Sequence, residues 1–154
     1  DNKMIEDAKE ELKRADHLIF VSLKYTRTMD VIESVVKRLL NAHYFAIDSL
    51  IEYLINKKKI KEMPDSIKAK IELLKKSVKD ETIQDFLEYS AFLSRIDKSE
   101  HIKKEEFRKN VALIAEENGE VIVEVSIAML KEYYKKTEDF INFIYNLVKG
   151  IKNE

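Results

Sequence analysis

A chain of 154 residues, 45% of them hydrophobic and none of them cysteine, is long enough to bury its own core. It excludes a disulfide scaffold, a thiolate nucleophile and a thiolate metal site. Charge is dense but balanced, Lys+Arg 28 against Asp+Glu 29, which excludes a global field for nucleic acid or acidic membrane and leaves such partners only a local patch.

Two glycines and one proline leave few helix breakers, so the composition predicts a mainly α, single-domain bundle over residues 1–154. Heavy Lys and Glu use without cysteine is thermophile-like. No apolar run reaches about 18 residues, and no basic-then-apolar segment opens the chain, so the expectation is a cytoplasmic protein away from membranes.

From Lys3 to about Leu23, the residues Ile5, Ala8, Leu12, Ala15, Ile19 and Leu23 step by three or four, one face of a first helix. "KYTRT" (Lys24–Thr28) interrupts it, and Thr28 suits the N-cap of the next segment. That segment, Met29 to about Asn56, carries the widest apolar stripe, from Ile32 through Val36, Leu39, Leu40, His43 and Ile47 to Leu54. "NKKKIKEMPD", with Pro64, ends it.

A third helix over about Asp65–Val78, capped by Asp65 or Ser66, and a fourth over about Glu81–Ile96 follow. With no Gly or Pro between them they also read as one bent helix. "DKSEHIKKEE" (Asp97–Glu106) is polar and reads as a connection with a short helical turn at its end.

Residues 111–125, "VALIAEENGEVIVEV", contain Asn118-Gly119, a type I′ turn signal. A hairpin of about 111–116 and 121–125 sets Ile114 opposite Val123 and Ala112 opposite Val125, giving one face of Ala112, Ile114, Val121, Val123 and Val125. A helix stopped by Gly119 also fits, but the β-branched run "VIVEV" favours the hairpin. Ser126 caps a last helix, Ile127 to Lys149, and Gly150 ends it. The sum is a bundle of about five helices with one small β-hairpin before the C-terminal helix.

Chemistry-bearing residues are sparse. In "RLLNAH", Arg38 and His43 stand five positions apart, which on one helix separates them by roughly 140°. His43 falls on the apolar stripe and Arg38 on the polar side. Arg95 and His101, in "RIDKSEH", lie where a helix runs into the polar connection, so that objection does not reach them. If the hairpin folds back, Arg95, His101 and Arg108 share one surface, an anion-binding arrangement.

The three histidines are far apart and no Glu-x-x-His pair occurs, so no metal or cofactor is expected. Tyr25 and Arg27, in "KYTRT", are expected either to hold the corner against a carboxylate or to meet a ligand or partner. Lys57, Lys58 and Lys59 open a stretch to Lys79 holding nine lysines against Glu62, Asp65 and Glu72. It reads as a solvated face or as a track for an RNA backbone. Glu116, Glu117, Glu120 and Glu124 gather at the hairpin, offering such a patch a head-to-tail partner.

"RADHLIFVSLKYTRTMDVI" (Arg14–Ile32) resembles a group of small archaeal helical-bundle proteins, and the likeness extends more loosely over "EEFRKNVALIAEENGEVIVEV" and the last helix. It implies no activity or cofactor. The helical frame and the two Arg…His spacings, which fit an R-x4–6-H pattern, are similar to HEPN domains. That resemblance implies a metal-independent ribonuclease cleaving with Arg95 and His101, or with Arg38 and His43. The residues themselves favour a non-catalytic binding protein that forms a homodimer through the long stripe and the hairpin. A HEPN-type ribonuclease or an RNA-binding module is the alternative.

Overall fold

Thr28 decides where the longest element begins. In the computed structural model, which describes residues 3–153, its Oγ1 accepts from Val31 N at 3.4 Å, and α3 runs from Met29 to Asn56. At 1.5 Å per residue its 28 residues span about 42 Å. Before it come α1 (Lys3–His17), a π-helical segment (Leu18–Ser22) and the short α2 (Leu23–Tyr25). After it come α4 (Ile67–Ser77), α5 (Glu81–Lys98), three strands, β1 (Glu100–Lys104), β2 (Ala112–Glu117) and β3 (Glu120–Ser126), and α6 (Ile127–Lys149).

α3 is the axis of the bundle: α1, α4, α5 and α6 all pack on it. Its stripe of Ile32, Val36, Leu39, Leu40, Ile47, Leu50 and Ile51 is buried inside the one chain. The π-helical segment has a phase reason. A strict α-helix drifts about 40° for every four residues, which carries Leu23 away from the face of Ala15 and Ile19. The wider π turn, closed by Leu23 N on Leu18 O, brings it back. Ala15, Ile19 and Leu23 are therefore all buried, while Phe20 and Val21 turn outward.

α4 and α5 are two helices, not one bent helix. Val78 is extended (φ −122, ψ 117), Gln84 Nε2 donates to its carbonyl, and Asp80 Oδ1 restarts the chain by accepting from Ile83 N at 3.0 Å. Ser66 caps α4. Ser126 caps α6, and Gly150, at φ 75, closes it in the left-handed conformation.

The β element differs from its sequence expectation in two ways. It has three strands, in order β1-β2-β3, all antiparallel. β1 lies within the stretch read as a connection, because a polar edge strand shows little hydrophobic alternation: Ile102 is its single aliphatic residue. The second difference is register. Asn118 and Gly119 turn with positive φ (52 and 80), and Glu116 pairs with Val121 as that turn dictates. A bulge then slips the ladder, so that Ala115 faces Val123, Ile114 faces Glu124 and Leu113 faces Val125. The extra residue is Ile122.

One slipped residue exchanges the faces of β2. Leu113 and Ala115, not Ile114, join Val125 in the core, and Val121 is 59% exposed. The sheet lies against α3 through β2 and against α6 through β3.

Candidate functional site

"RLLNAH" parts into two unrelated environments. His43 is fully buried, with Nδ1 2.6 Å from Ser90 Oγ and Nε2 2.9 Å from Thr137 Oγ1. Ser90 gives its one hydrogen to Phe86 O at 2.8 Å, so it accepts from Nδ1–H, and Nε2 accepts from Thr137. The ring stacks on Phe86 with centroids 4.9 Å apart. Burial pushes the imidazole down to about 3, so it is neutral.

Arg38 leaves on the other side, toward α1. Its Nη1 lies 3.2 and 2.9 Å from the two oxygens of Glu11. Arg14 Nη1 (3.2 Å) and Asn41 Nδ2 (3.0 Å) bind the same carboxylate, which is 6% exposed. Burial pushes the Glu11 carboxyl up, but the hydrogen bonds from Asn41, Arg14 and Arg38 and the Arg38 charge together outweigh it. The result lies below the ordinary carboxylate value. Arg38 and His43 share no space in which a phosphate can meet both.

The second pair does not converge either. Arg95 turns to the hairpin, its Nε and Nη2 3.0 and 2.8 Å from Glu117 Oε1. His101, on β1, faces α3: Nδ1 is 2.6 Å from Glu33 Oε2, and Nε2 is 2.7 Å from Ile96 O. With both ring nitrogens engaged, the imidazole has no free edge for a substrate proton. Arg108 is exposed in the loop after β1. The expected shared surface fails because β1 is a strand, which sets Arg95 beside its start and Arg108 beyond its end.

His101 instead borders an open groove of about 750 Å³, lined also by Asp30, Glu33, Ser34, Lys37, Asp97 and Ser99. Lys37 Nζ crosses it to Asp97 Oδ2 at 2.8 Å. Acids outnumber bases on this wall, and both of its bases are already bound to acids, His101 to Glu33 and Lys37 to Asp97.

The "KYTRT" corner is held by a carboxylate, though not through Tyr25 or Arg27 side chains. Glu106 Oε2 accepts from Met29 N at 3.0 Å, and Phe107 N donates to Arg27 O at 2.7 Å. The first four N–H groups of a helix lack partners, so a backbone donor at the start of α3 outcompetes the side chains. Tyr25 (83%) and Phe107 (73%) stay exposed, and Arg27 Nε is buried without a hydrogen-bond partner. Lys57, Lys58 and Lys59 are exposed where α3 ends. Of the nine lysines from 57 to 79, Lys70 alone makes an ion pair among the described residues, with Asp48 at 2.8 Å.

Glu11 was the readable signal that sequence reasoning passed over: a carboxylate between Ala8, Leu12 and Ala15, on the buried face of α1. Among the described residues no group of three or more His, Asp or Glu is placed to hold a metal ion, and no helix is long and apolar enough to cross a membrane. No family model, curated protein or solved structure matches this chain.

Proposed function

We propose that the protein is a non-catalytic binding module that acts as a homodimer, two copies joined edge to edge through β1. The observation that carries this reading is the charge order of the free strand. Among the described residues β1 pairs only with β2, so one row of its backbone groups has no strand partner there, a template for another chain. Its sequence is Glu100-His101-Ile102-Lys103-Lys104. An antiparallel copy centred on Ile102 sets Glu100 opposite Lys104 twice and Ile102 opposite itself, a self-complementary, isologous contact. Each Lys104 then shares its charge between that partner and Glu124 of its own chain, 2.6 Å away. Ile102 is an exposed aliphatic residue at the centre of that contact. The α3 stripe, buried within the chain, contributes nothing to it.

Charge exchange tests the register. Wild type should scatter light with a mass near twice 18.2 kDa. Glu100→Lys alone opposes lysine to lysine, and Lys104→Glu alone opposes glutamate to glutamate, so each should run as a monomer. An equimolar mixture of the two variants restores both pairs and should return the dimer mass. A wild-type monomer at 100 µM or above, roughly, would sink the proposal. Mixed variants that stay monomeric would sink this interface.

A further inference from the structure

The carboxylate of Glu11 binds two guanidiniums, and beyond them lies an open hollow walled mostly by Leu18 and the aliphatic stems of basic side chains. It holds about 390 Å³ and is lined by Lys13, Arg14, His17, Leu18 and Arg38. Three fixed cations face it from two helices, Arg38 from α3 and the others from α1, against one carboxylate already saturated with donors. Lys13 and His17 make no ion pair among the described residues, and both are exposed. The remaining acids of this stretch of α1 line a neighbouring groove: Glu10 and Asp16 border it with Tyr134, Glu138 and Asn142, and Lys13 stands between that groove and the hollow.

We propose that this hollow is a binding site for a small phosphate monoester. Each guanidinium has five N–H donors in a planar fork. Arg38 gives Glu11 one nitrogen, Nη1, and Arg14 does the same. Their remaining donors are available in a geometry that the shared carboxylate fixes, so little side-chain freedom is lost when an anion arrives. Two forks with an ammonium suit a dianionic phosphoryl group, which offers three acceptor oxygens. The volume matches a nucleotide-sized ligand.

Leu18 supplies an apolar wall for the body of such a ligand, and Leu18 opens the π-helical segment, an irregularity often found beside functional sites. A long nucleic acid backbone fits less well, because the cations form one closed cluster and not a track. The site involves no residue of β1 and stands or falls independently of dimer formation.

The test is a two-dimensional amide NMR titration at low ionic strength with inorganic phosphate, adenosine 5′-monophosphate and a single-stranded RNA hexamer, against sodium chloride of equal ionic strength. Phosphate and the monophosphate should give saturable shifts confined to about residues 11–18 and 38–41, with the monophosphate the tighter. Lys13→Ala and Arg38→Gln should each weaken binding about tenfold, the loss of one charge-assisted contact. Because Arg38 also holds Glu11, Lys13→Ala serves as the variant that leaves the fold untouched.

Absence of saturation by 20 mM phosphate, roughly a bound below which no useful site lies, would overturn the proposal. So would equal shifts with chloride, indifference to Lys13→Ala, or hexamer binding tighter than the monophosphate with shifts centred on residues 57–79.

Discussion

Each nitrogen of His43 has one role left to it by its neighbours, and that makes the residue a pH sensor for the whole fold. Nδ1–H donates to Ser90 and Nε2 accepts from Thr137, so a second proton must displace the hydrogen that Thr137 gives and puts a charge where the ring has no solvent exposure. Unfolded, the imidazole takes that proton near its ordinary value of 6.5; folded, burial defers it to about 3. Between those values the unfolded chain binds more protons, so the stability from a neutral His43 is complete above pH 6.5 and drains away as pH falls. The slope is about 1.4 kcal/mol per pH unit, a loss of roughly 2–3 kcal/mol by pH 4.5. Urea unfolding at a series of pH values should show it. His43→Gln, which keeps a donor and an acceptor, should cost about 1–2 kcal/mol at pH 7 but flatten the slope between pH 4.5 and 6.5. An unchanged slope would assign the acid lability elsewhere. Glu11 is also buried, and its lowered carboxyl contributes stability that is lost only as pH falls through its own lower range.

Among the elements, the loop between β1 and β2 is the most strained. Glu105 and Phe107 both have positive φ, 50 and 65, a conformation that costs a bulky residue about 1–2 kcal/mol. Phe107 gets no packing in return, since its ring is 73% exposed. What holds it is the pair of bonds that tie the loop to the start of α3, Phe107 N to Arg27 O and Glu106 to Met29 N. Phe107→Asn, which tolerates the left-handed region, should stabilise the protein by about 0.5–1 kcal/mol, read as a higher denaturant midpoint with an unchanged m-value. A loss of stability would mean that the ring is covered in solution.

The same loop shows where sequence reasoning ends. The α1, α3 and α6 stripes and their caps Thr28 and Ser126 were legible because period and cap chemistry are local. So was the turn at Asn118-Gly119. The register of β2 was not, because the bulge at Ile122 answers to what α3 and α6 accept, a tertiary demand with no local mark. β1 was missed because its partner, not its own pattern, makes it a strand. At the candidate sites, helix angle alone separated Arg38 from His43. That Arg38 meets Glu11, Arg14 and Asn41 required knowing that α1 lies along α3.

For the whole molecule the open question is how much of its stability belongs to one copy. The long stripe of α3 and the inner face of the sheet are satisfied within the chain, so a monomer has a complete core and the proposed β1 contact adds to a fold that already stands. Folding should therefore persist in Lys104→Glu, with the far-ultraviolet circular dichroism of wild type. Mass action then separates the two species. Unfolding of a dimer yields two chains, so tenfold more protein stabilises each chain by about 0.7 kcal/mol, which for a domain of this size raises Tm by roughly 1–3 °C. Wild type should show twice that rise over the hundredfold range between 5 and 500 µM, approximate limits that bracket a micromolar dimer, while Lys104→Glu should melt at one temperature throughout. The Glu100–Lys104 pairs are exposed and screened beyond about 10 Å at 0.1 M salt, so added salt should lower the wild-type Tm toward the variant's without merging them, the backbone bonds of the shared sheet being indifferent to ionic strength. A wild-type Tm independent of concentration would leave the lysines of β1 as guards of a solitary edge.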